Sequence, residues 1–237
     1  MDIVIVTGTC HDGVTKHLRD LFVAGLSADV KVTSFRLPLD GPGFCTGCKT
    51  CFTVDERKCP HAASVQPIWQ AMAAADVIVF FYPAYVMRAP GQVKALLDHL
   101  GYRWLVHRPD PAMFSKRALI VTQALGAGVG PAAADVRTSL NWLGISAVRT
   151  HRLRLLGDVS WHKLSEKRRQ RFERDMNALA ADCSAVRPAG LSLATRAKLM
   201  LCRQMQKRLA KTLAETSLDV RYWREHNWLV RSSYLNK

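Results

Sequence analysis

A chain of 237 residues with 49% apolar side chains is long enough for one full domain plus an appendage, and its apolar content argues against wholesale disorder. No apolar run approaches the length that spans a bilayer, and the first residues show no charged, apolar and small-residue targeting pattern, so a cytoplasmic protein is expected. The formal net charge is +15 and unevenly placed: from Arg152 onward 19 Lys/Arg stand against 8 Asp/Glu, a net of +11 that leaves +4 for the rest.

Taken in order, Asp2 to Thr7 (DIVIVT) reads as a short buried strand ending at Gly8. The loop Gly8 to Thr15 follows, and Lys16 to Gly25 carries Leu18, Leu21 and Phe22 at helical spacing. Val30 to Phe35 alternates like a second strand. Beyond the cysteine-rich stretch Phe44 to Pro60, Ser64 to Ala75 reads as a helix capped by Ser64, with Ile68 and Met72 on one side. Asp76 to Tyr82 is a strongly apolar strand, and Ala89 to Leu105 a helix with Pro90 in its first turn. Ala118 to Thr122 is another apolar strand, running into the Gly-rich Gln123 to Gly130. A helix through Val136, Leu140 and Leu143 ends near Gly144, and Ile145 to Val148 begins a fifth strand. Short all-apolar strands alternating with helices predict an α/β protein with a parallel sheet covered on both faces. Five strands predict a flavodoxin-like, doubly wound sheet over residues 1–154, with ligands at the carboxyl ends of its strands.

After about residue 155 the pattern changes to a basic helical C-terminal extension, 155–237. Ser165 to Ala181 is a highly charged helix. Leu193 to Leu213 sets Leu199, Cys202, Met205 and Leu209 among six cations, a basic amphipathic helix. Such a helix suits an anionic membrane surface or an acidic electron donor such as a ferredoxin. No nucleic-acid recognition motif is present, so no nucleic-acid partner is expected. The end, Asp219 to Tyr234, is rich in aromatics: Tyr222, Trp223, Trp228 and Tyr234.

Four of the seven cysteines lie at 44–60. Cys45, Cys48 and Cys51 are spaced C-x2-C-x2-C, and Cys59 follows with Pro60 directly behind it. Three closely spaced thiolates and a fourth before a proline match the opening run of bacterial ferredoxins, which predicts a 4Fe–4S cluster as the metal site. A cramped zinc site and plain surface thiols stand beside that reading. Structural disulfides are disfavoured in a reducing compartment.

Three loops at strand carboxyl ends have the composition of flavin contacts. Gly8 to Thr15 offers the hydroxyls of Thr9 and Thr15 and the backbone N–H groups of a helix start, which suit a phosphate, although no Gly-Lys-Ser/Thr makes it a P-loop. Pro83, Ala84, Tyr85, Val86 and Met87 can lay backbone along the edge of a flat ring, with Tyr85 near its face. Gln123 to Gly128 can approach the other end of that ring.

The segment Pro83 to Asp98 resembles the P-x-Y … G-Q-x-K-x-h-x-D stretch of flavodoxin-like NAD(P)H-dependent FMN oxidoreductases, and the cysteine loop resembles that of the iron–sulfur flavoproteins among them. The resemblance covers residues 1–150. It implies FMN as cofactor and NAD(P)H as reductant, with Thr9, His11 and Thr15 serving the phosphate. Pro83 to Met87 would line the isoalloxazine, with Gln123 and Gly126 nearby, and Cys45, Cys48, Cys51 and Cys59 would hold the cluster. It also implies a homo-oligomer. The first loop departs from the family's G-S-P-R-x-x-G-N-T: it is one residue shorter, with Cys10, His11 and Val14 where Pro, Arg and Asn are usual. Asp219 to Leu229 is similar to a closing D-x-x-Y-W-x-x-x-x-W-L segment of some members, best read as packing.

An iron–sulfur flavoprotein passing electrons between cluster and FMN is therefore the expectation. The alternatives are a cluster-free NAD(P)H-dependent quinone, azo or nitro reductase, a flavodoxin-type electron carrier, and a redox sensor. Such carriers are typically acidic, so the net charge weighs against the carrier.

Overall fold

The computed structural model describes residues 1–155, 160–185, 187–213 and 216–230; Tyr234 of the aromatic end lies outside them. Five strands, β1 (Asp2–Thr7), β2 (Lys31–Arg36), β3 (Val77–Pro83), β4 (Arg117–Ala124) and β5 (Ala147–Arg154), form one sheet in the order β2-β1-β3-β4-β5. Every pairing is parallel. This is the flavodoxin-like order, and the chain reverses its direction of winding between β1 and β3. All seven residues of β3 are buried, as expected for a central strand roofed on both faces.

The helices are α1 (Val14–Ala24), α2 (Thr50–Thr53), α3 (Ala62–Ala74), α4 (Gly91–His99), α5 (Val129–Trp142), α6 (Glu166–Ser184), α7 (Leu193–Thr212) and α8 (Leu218–Glu225). Most boundaries shift by one to three residues from the sequence reading, and two differences concern helix ends. Helix α3 starts behind His61, so Ser64 lies inside it and caps nothing. Helix α4 has Pro90 as its N-cap and stops at His99, short of Leu105, because Gly101 opens a tight 3-10 turn over Gly101–Arg103.

Each face of the sheet has its own core. On one, Ile3, Ile5, Val79 and Val121 meet Leu18 and Phe22 of α1 and Phe172, Met176 and Leu179 of α6. Helix α6 thus supplies half of this layer, and the wound sheet needs residues beyond 154 to close. On the other face, Val4, Ile78, Phe80 and Ile120 meet α3, α4 and α5, and Leu199, Cys202, Trp223 and Trp228 join them from the extension. The stripe read along α7 splits as a result: Leu199 and Cys202 face the core, while Met205 and Leu209 stay exposed.

The aromatic end is fastened by hydrogen bonds as well as packing. Tyr222 OH donates to the Pro109 carbonyl at 2.6 Å, Trp223 Nε1 to that of His107 at 2.6 Å, and Arg203 Nε to that of Trp228 at 2.9 Å. Beneath them the buried Arg108 donates to Asp219 Oδ1 at 2.7 Å, to Glu56 Oε2 at 3.2 Å and to the Cys51 carbonyl. Its guanidinium also stands 5.4 Å above the Tyr102 ring. One cation therefore ties the cysteine loop, the segment after α4 and the start of α8 together.

Removing one partner of a buried ion pair strands the other charge. Asp219→Ala is expected to lower stability by about 3 kcal/mol in urea denaturation, and Asp219→Asn by less, since the amide oxygen still accepts from Arg108.

Candidate functional site

The first three of the loops named above converge on one cleft at the carboxyl ends of β1, β3 and β4. Its walls are Thr9, His11, Gly13, Val14 and Thr15 from the β1–α1 loop, Pro83, Ala84 and Tyr85 after β3, and Gln123, Ala124 and Leu125 after β4. Close backbone packing sets the shape. Gly8 N–H donates to the Phe81 carbonyl at 2.7 Å, and a Cβ on Gly8 would stand 2.3 Å from Val93 Cγ2 and 2.8 Å from Tyr82 Cβ. Only glycine lets β1 end so close to β3 and α4. Gln92 Nε2, from the G-Q-x-K stretch, donates to the Gly8 carbonyl at 2.8 Å and holds the turn from the other side. In the same stretch Lys94 and Asp98 form an ion pair one helical turn apart.

The hydroxyls of Thr9 and Thr15 are almost fully buried in this cleft. Thr9 Oγ1 accepts from His11 N–H at 3.1 Å and pairs with Tyr85 OH at 3.3 Å, while Thr15 Oγ1 accepts from Gln123 Nε2 at 3.2 Å. Helix α1 starts here with no side chain capping it and no acidic residue in its first turn. Its leading N–H groups and the positive end of its dipole are thus available to an anion. Two buried hydroxyls, a bare helix start and a slot between backbone-lined walls fit a phosphate carrying a flat ring system, which is the chemistry of FMN.

The loop after β3 is strained. Tyr85 and Arg88 exchange both backbone hydrogen bonds at 3.0 Å, leaving Val86 (φ 48°) and Met87 (φ 64°) in left-handed conformations. Two-residue turns of this kind favour Asn and Gly, and a β-branched residue there costs on the order of 1–3 kcal/mol. The strain is held by neighbours. Arg88 pairs with Asp135, whose Oδ2 also accepts from Ala89 N–H at 3.0 Å, and Gly128 leaves room for the Met87 backbone, 2.5 Å from where a Cβ would stand. Tyr82, just before this loop, donates to the Ala132 carbonyl at 2.9 Å, and burial pushes its phenol well above the ordinary range.

Of the residues picked out in the sequence, Thr9, His11, Thr15, Pro83, Ala84, Tyr85 and Gln123 meet in the cleft. Val86, Met87 and Gly126 do not line it: Val86 is 96% exposed at the tip of the strained turn, and Gly126 faces open space. Gly13, Val14, Ala124 and Leu125 line it without having been singled out. Their only signal was position, each lying within two residues of one that was.

The cysteine loop departs from expectation. Among the described residues no three His, Cys, Asp or Glu side chains form a group that could hold a metal ion, so the shell expected from Cys45, Cys48, Cys51 and Cys59 does not assemble. Cys45 and Cys48 are exposed, on a backbone turned by left-handed Gly47 and Lys49. Cys48 Sγ accepts from Thr50 Oγ1 at 3.3 Å, and hydrogen bonds from Thr50 lower its pKa. Cys51 is half-buried and shifted the other way, first by burial and then by Cys59. The spacing is that of a cluster loop, but no metal-holding group is found there among the described residues.

Residues 1–154 match the family described as NADPH-dependent FMN reductase. Among solved structures, the chain is similar to an FMN-dependent NADH-azoreductase from Bacillus anthracis str. Ames Ancestor in complex with FMN, at 14% identity and TM-score 0.59, covering 78% of this chain and 100% of that one. It is similar to an NAD(P)H:quinone oxidoreductase from Methanothermobacter marburgensis at 14% identity and TM-score 0.59, covering 79% and 98%. A flavone reductase aligns over 98% of both chains at 13% identity and TM-score 0.59. At such identities these likenesses carry the fold alone. No curated protein matches the chain. With the sheet order and the cleft in place, the family match over most of the chain is decisive: this protein belongs to the NADPH-dependent FMN reductases.

Proposed function

We propose that the protein is a cluster-free FMN-dependent reductase that takes hydride from NAD(P)H and reduces an aromatic acceptor of the quinone or azo type. The observation that carries this reading is the single cleft at the winding reversal, where a bare helix start, two buried threonine hydroxyls and backbone-lined walls converge. The quinone and azo activities named for the similar structures support the acceptor class.

FMN held in the cleft would supply the redox chemistry, two-electron exchange with a nicotinamide and with an acceptor. The chain's own residues bind, orient and shield. Thr9, Thr15 and the first N–H groups of α1 would take the phosphate, with His11 at the mouth. Pro83 to Tyr85 and Gln123 to Leu125 would grip opposite edges of the ring. Tyr85 is half-exposed and Leu125, Val86 and Met87 project around the opening, so a flat apolar acceptor meets a largely apolar rim. The Arg88–Asp135 clamp holds that rim in place, which orients an acceptor without contributing a proton.

Thr15→Val is expected to weaken FMN about tenfold in a fluorescence titration, the worth of a hydrogen bond to a charged group, and to leave riboflavin binding unchanged because riboflavin has no phosphate. An equal loss for both flavins would count against the phosphate role. Protein purified without oxygen is expected to show flavin bands with no stoichiometric iron or acid-labile sulfide. It should oxidise NAD(P)H with a quinone or azo dye, and Cys48→Ala should leave that rate within twofold. Iron and sulfide in equal, near-stoichiometric amounts would restore the iron–sulfur reading.

A further inference from the structure

Helix α7 carries an apolar face that the fold leaves uncovered. Thr195, Leu199, Cys202 and Gln206 are buried against the rest of the chain, and Gln206 Nε2 donates to the Val106 carbonyl at 2.6 Å. That seats one side of the helix and fixes its rotation. On the side left outward, Leu193, Ala197, Leu201, Met205, Leu209 and the C-cap Leu213 recur every fourth residue and so form one ridge. All six are exposed, Leu193 by 86% and Leu201 by 63%. Over the 20 residues of α7 the ridge runs about 30 Å. Single exposed leucines need no explanation, but a continuous apolar row marks a contact surface.

Cations flank the ridge. Helix α7 holds Arg196, Lys198, Arg203, Lys207, Arg208 and Lys211 and no acidic residue. Three of them are committed within the chain. Arg196 Nε donates to the Leu191 carbonyl at 3.4 Å, Arg203 Nε to that of Trp228 at 2.9 Å, and the Lys198 ammonium stands 5.2 Å over the Trp142 ring. Among the described residues Lys207, Arg208 and Lys211 have no carboxylate partner. Steps of three residues, from Cys202 to Met205, Arg208 and Lys211, walk round the helix from core to ridge to free cations.

The occupant follows from shape and charge. A second copy of the chain would bring its own free cations against these, like charge on like. A protein partner would need a groove cut to the ridge and edged with acids. An anionic bilayer needs no fitted groove: it takes a convex apolar ridge at the boundary of headgroups and acyl chains, and its phosphates meet the cations alongside. The whole extension has the matching sign, with its net of +11 from Arg152 onward. Six cations in one helix keep α7 from crossing the bilayer, so it lies along the surface. We propose that the α7 ridge is a peripheral membrane contact by which the protein binds anionic lipid.

The test is sedimentation of the full chain with vesicles of phosphatidylglycerol or of phosphatidylcholine. Binding to phosphatidylglycerol is expected to be about tenfold tighter or more, and to weaken as salt is raised. Leu201→Gln/Met205→Gln and Lys207→Gln/Arg208→Gln/Lys211→Gln should each weaken it by about tenfold. These side chains lie outside the buried cores, and far-UV circular dichroism and the urea midpoint should match the parent's. No vesicle binding, equal binding to both lipids, or variants that bind like the parent would overturn the assignment. So would a dimer in sedimentation velocity that Leu201→Gln/Met205→Gln converts to monomer, which would give the ridge to a second copy. Vesicle binding is read without flavin or turnover, so its outcome is independent of the reductase reading.

Discussion

The two-sided burial of the central sheet is the constraint on which the rest depends. Strand β3 has no exposed residue, and β1 has only Asp2. A sheet that is apolar above and below must be roofed twice, and parallel strands need helical crossovers that do so. Polar chemistry is thereby driven off both faces and gathers where the strands end. At the reversal between β1 and β3 the flanking loops turn away from each other and leave a crevice. Gly8, Thr9 and Thr15 sit there, where the strand ends can offer hydroxyls and backbone N–H groups to a ligand.

Much of this was legible in the sequence for a simple physical reason. Buried parallel strands read as unbroken apolar runs, and DIVIVT, VIVFFY and ALIVT admit little else. Pro83 and Gln123 could be named because they directly follow those runs, and Thr9 and Thr15 because they lie in the loop after the first. Helix ends were harder. Nothing local distinguishes Ser64 from His61 as a cap, and α4 continued on paper to Leu105 because Leu96, Leu97, Leu100 and Leu105 keep an apolar rhythm across the break at Gly101. The role of α6 was hidden by its charge: its many arginines outweigh Phe172, Met176 and Leu179, the residues that close the second core.

At the cysteine loop, spacing alone did not bring a metal-holding group together among the described residues. C-x2-C-x2-C states how far apart sulfurs are along the chain, not where the backbone aims them. Here the main chain is committed elsewhere. Arg108 takes the Cys51 carbonyl, and Glu56, five residues on, pairs with both Arg103 and Arg108. The loop is fixed by its backbone and its acids rather than by its thiols. The aromatic D-x-x-Y-W segment is likewise explained by packing: Asp219, Tyr222 and Trp223 each bond to a group between His107 and Pro109.

That latch has a consequence for how the protein comes to be made. Asp219 lies 111 residues after Arg108, so a growing chain delivers it long after the cation it pairs with. Until then the cation beneath the cysteine loop lacks half of its counter-charge, and the pockets awaiting Trp223 and Trp228 are empty. Contacts so distant along the chain form late and slowly. The sheet can wind as its strands are made, but the loop beside it cannot be fastened until Asp219 and the aromatic segment have followed. Nascent chains of this protein therefore pass through a long interval in which four cysteines hang from a half-built fold, exposed to whatever oxidants and metals the surroundings hold.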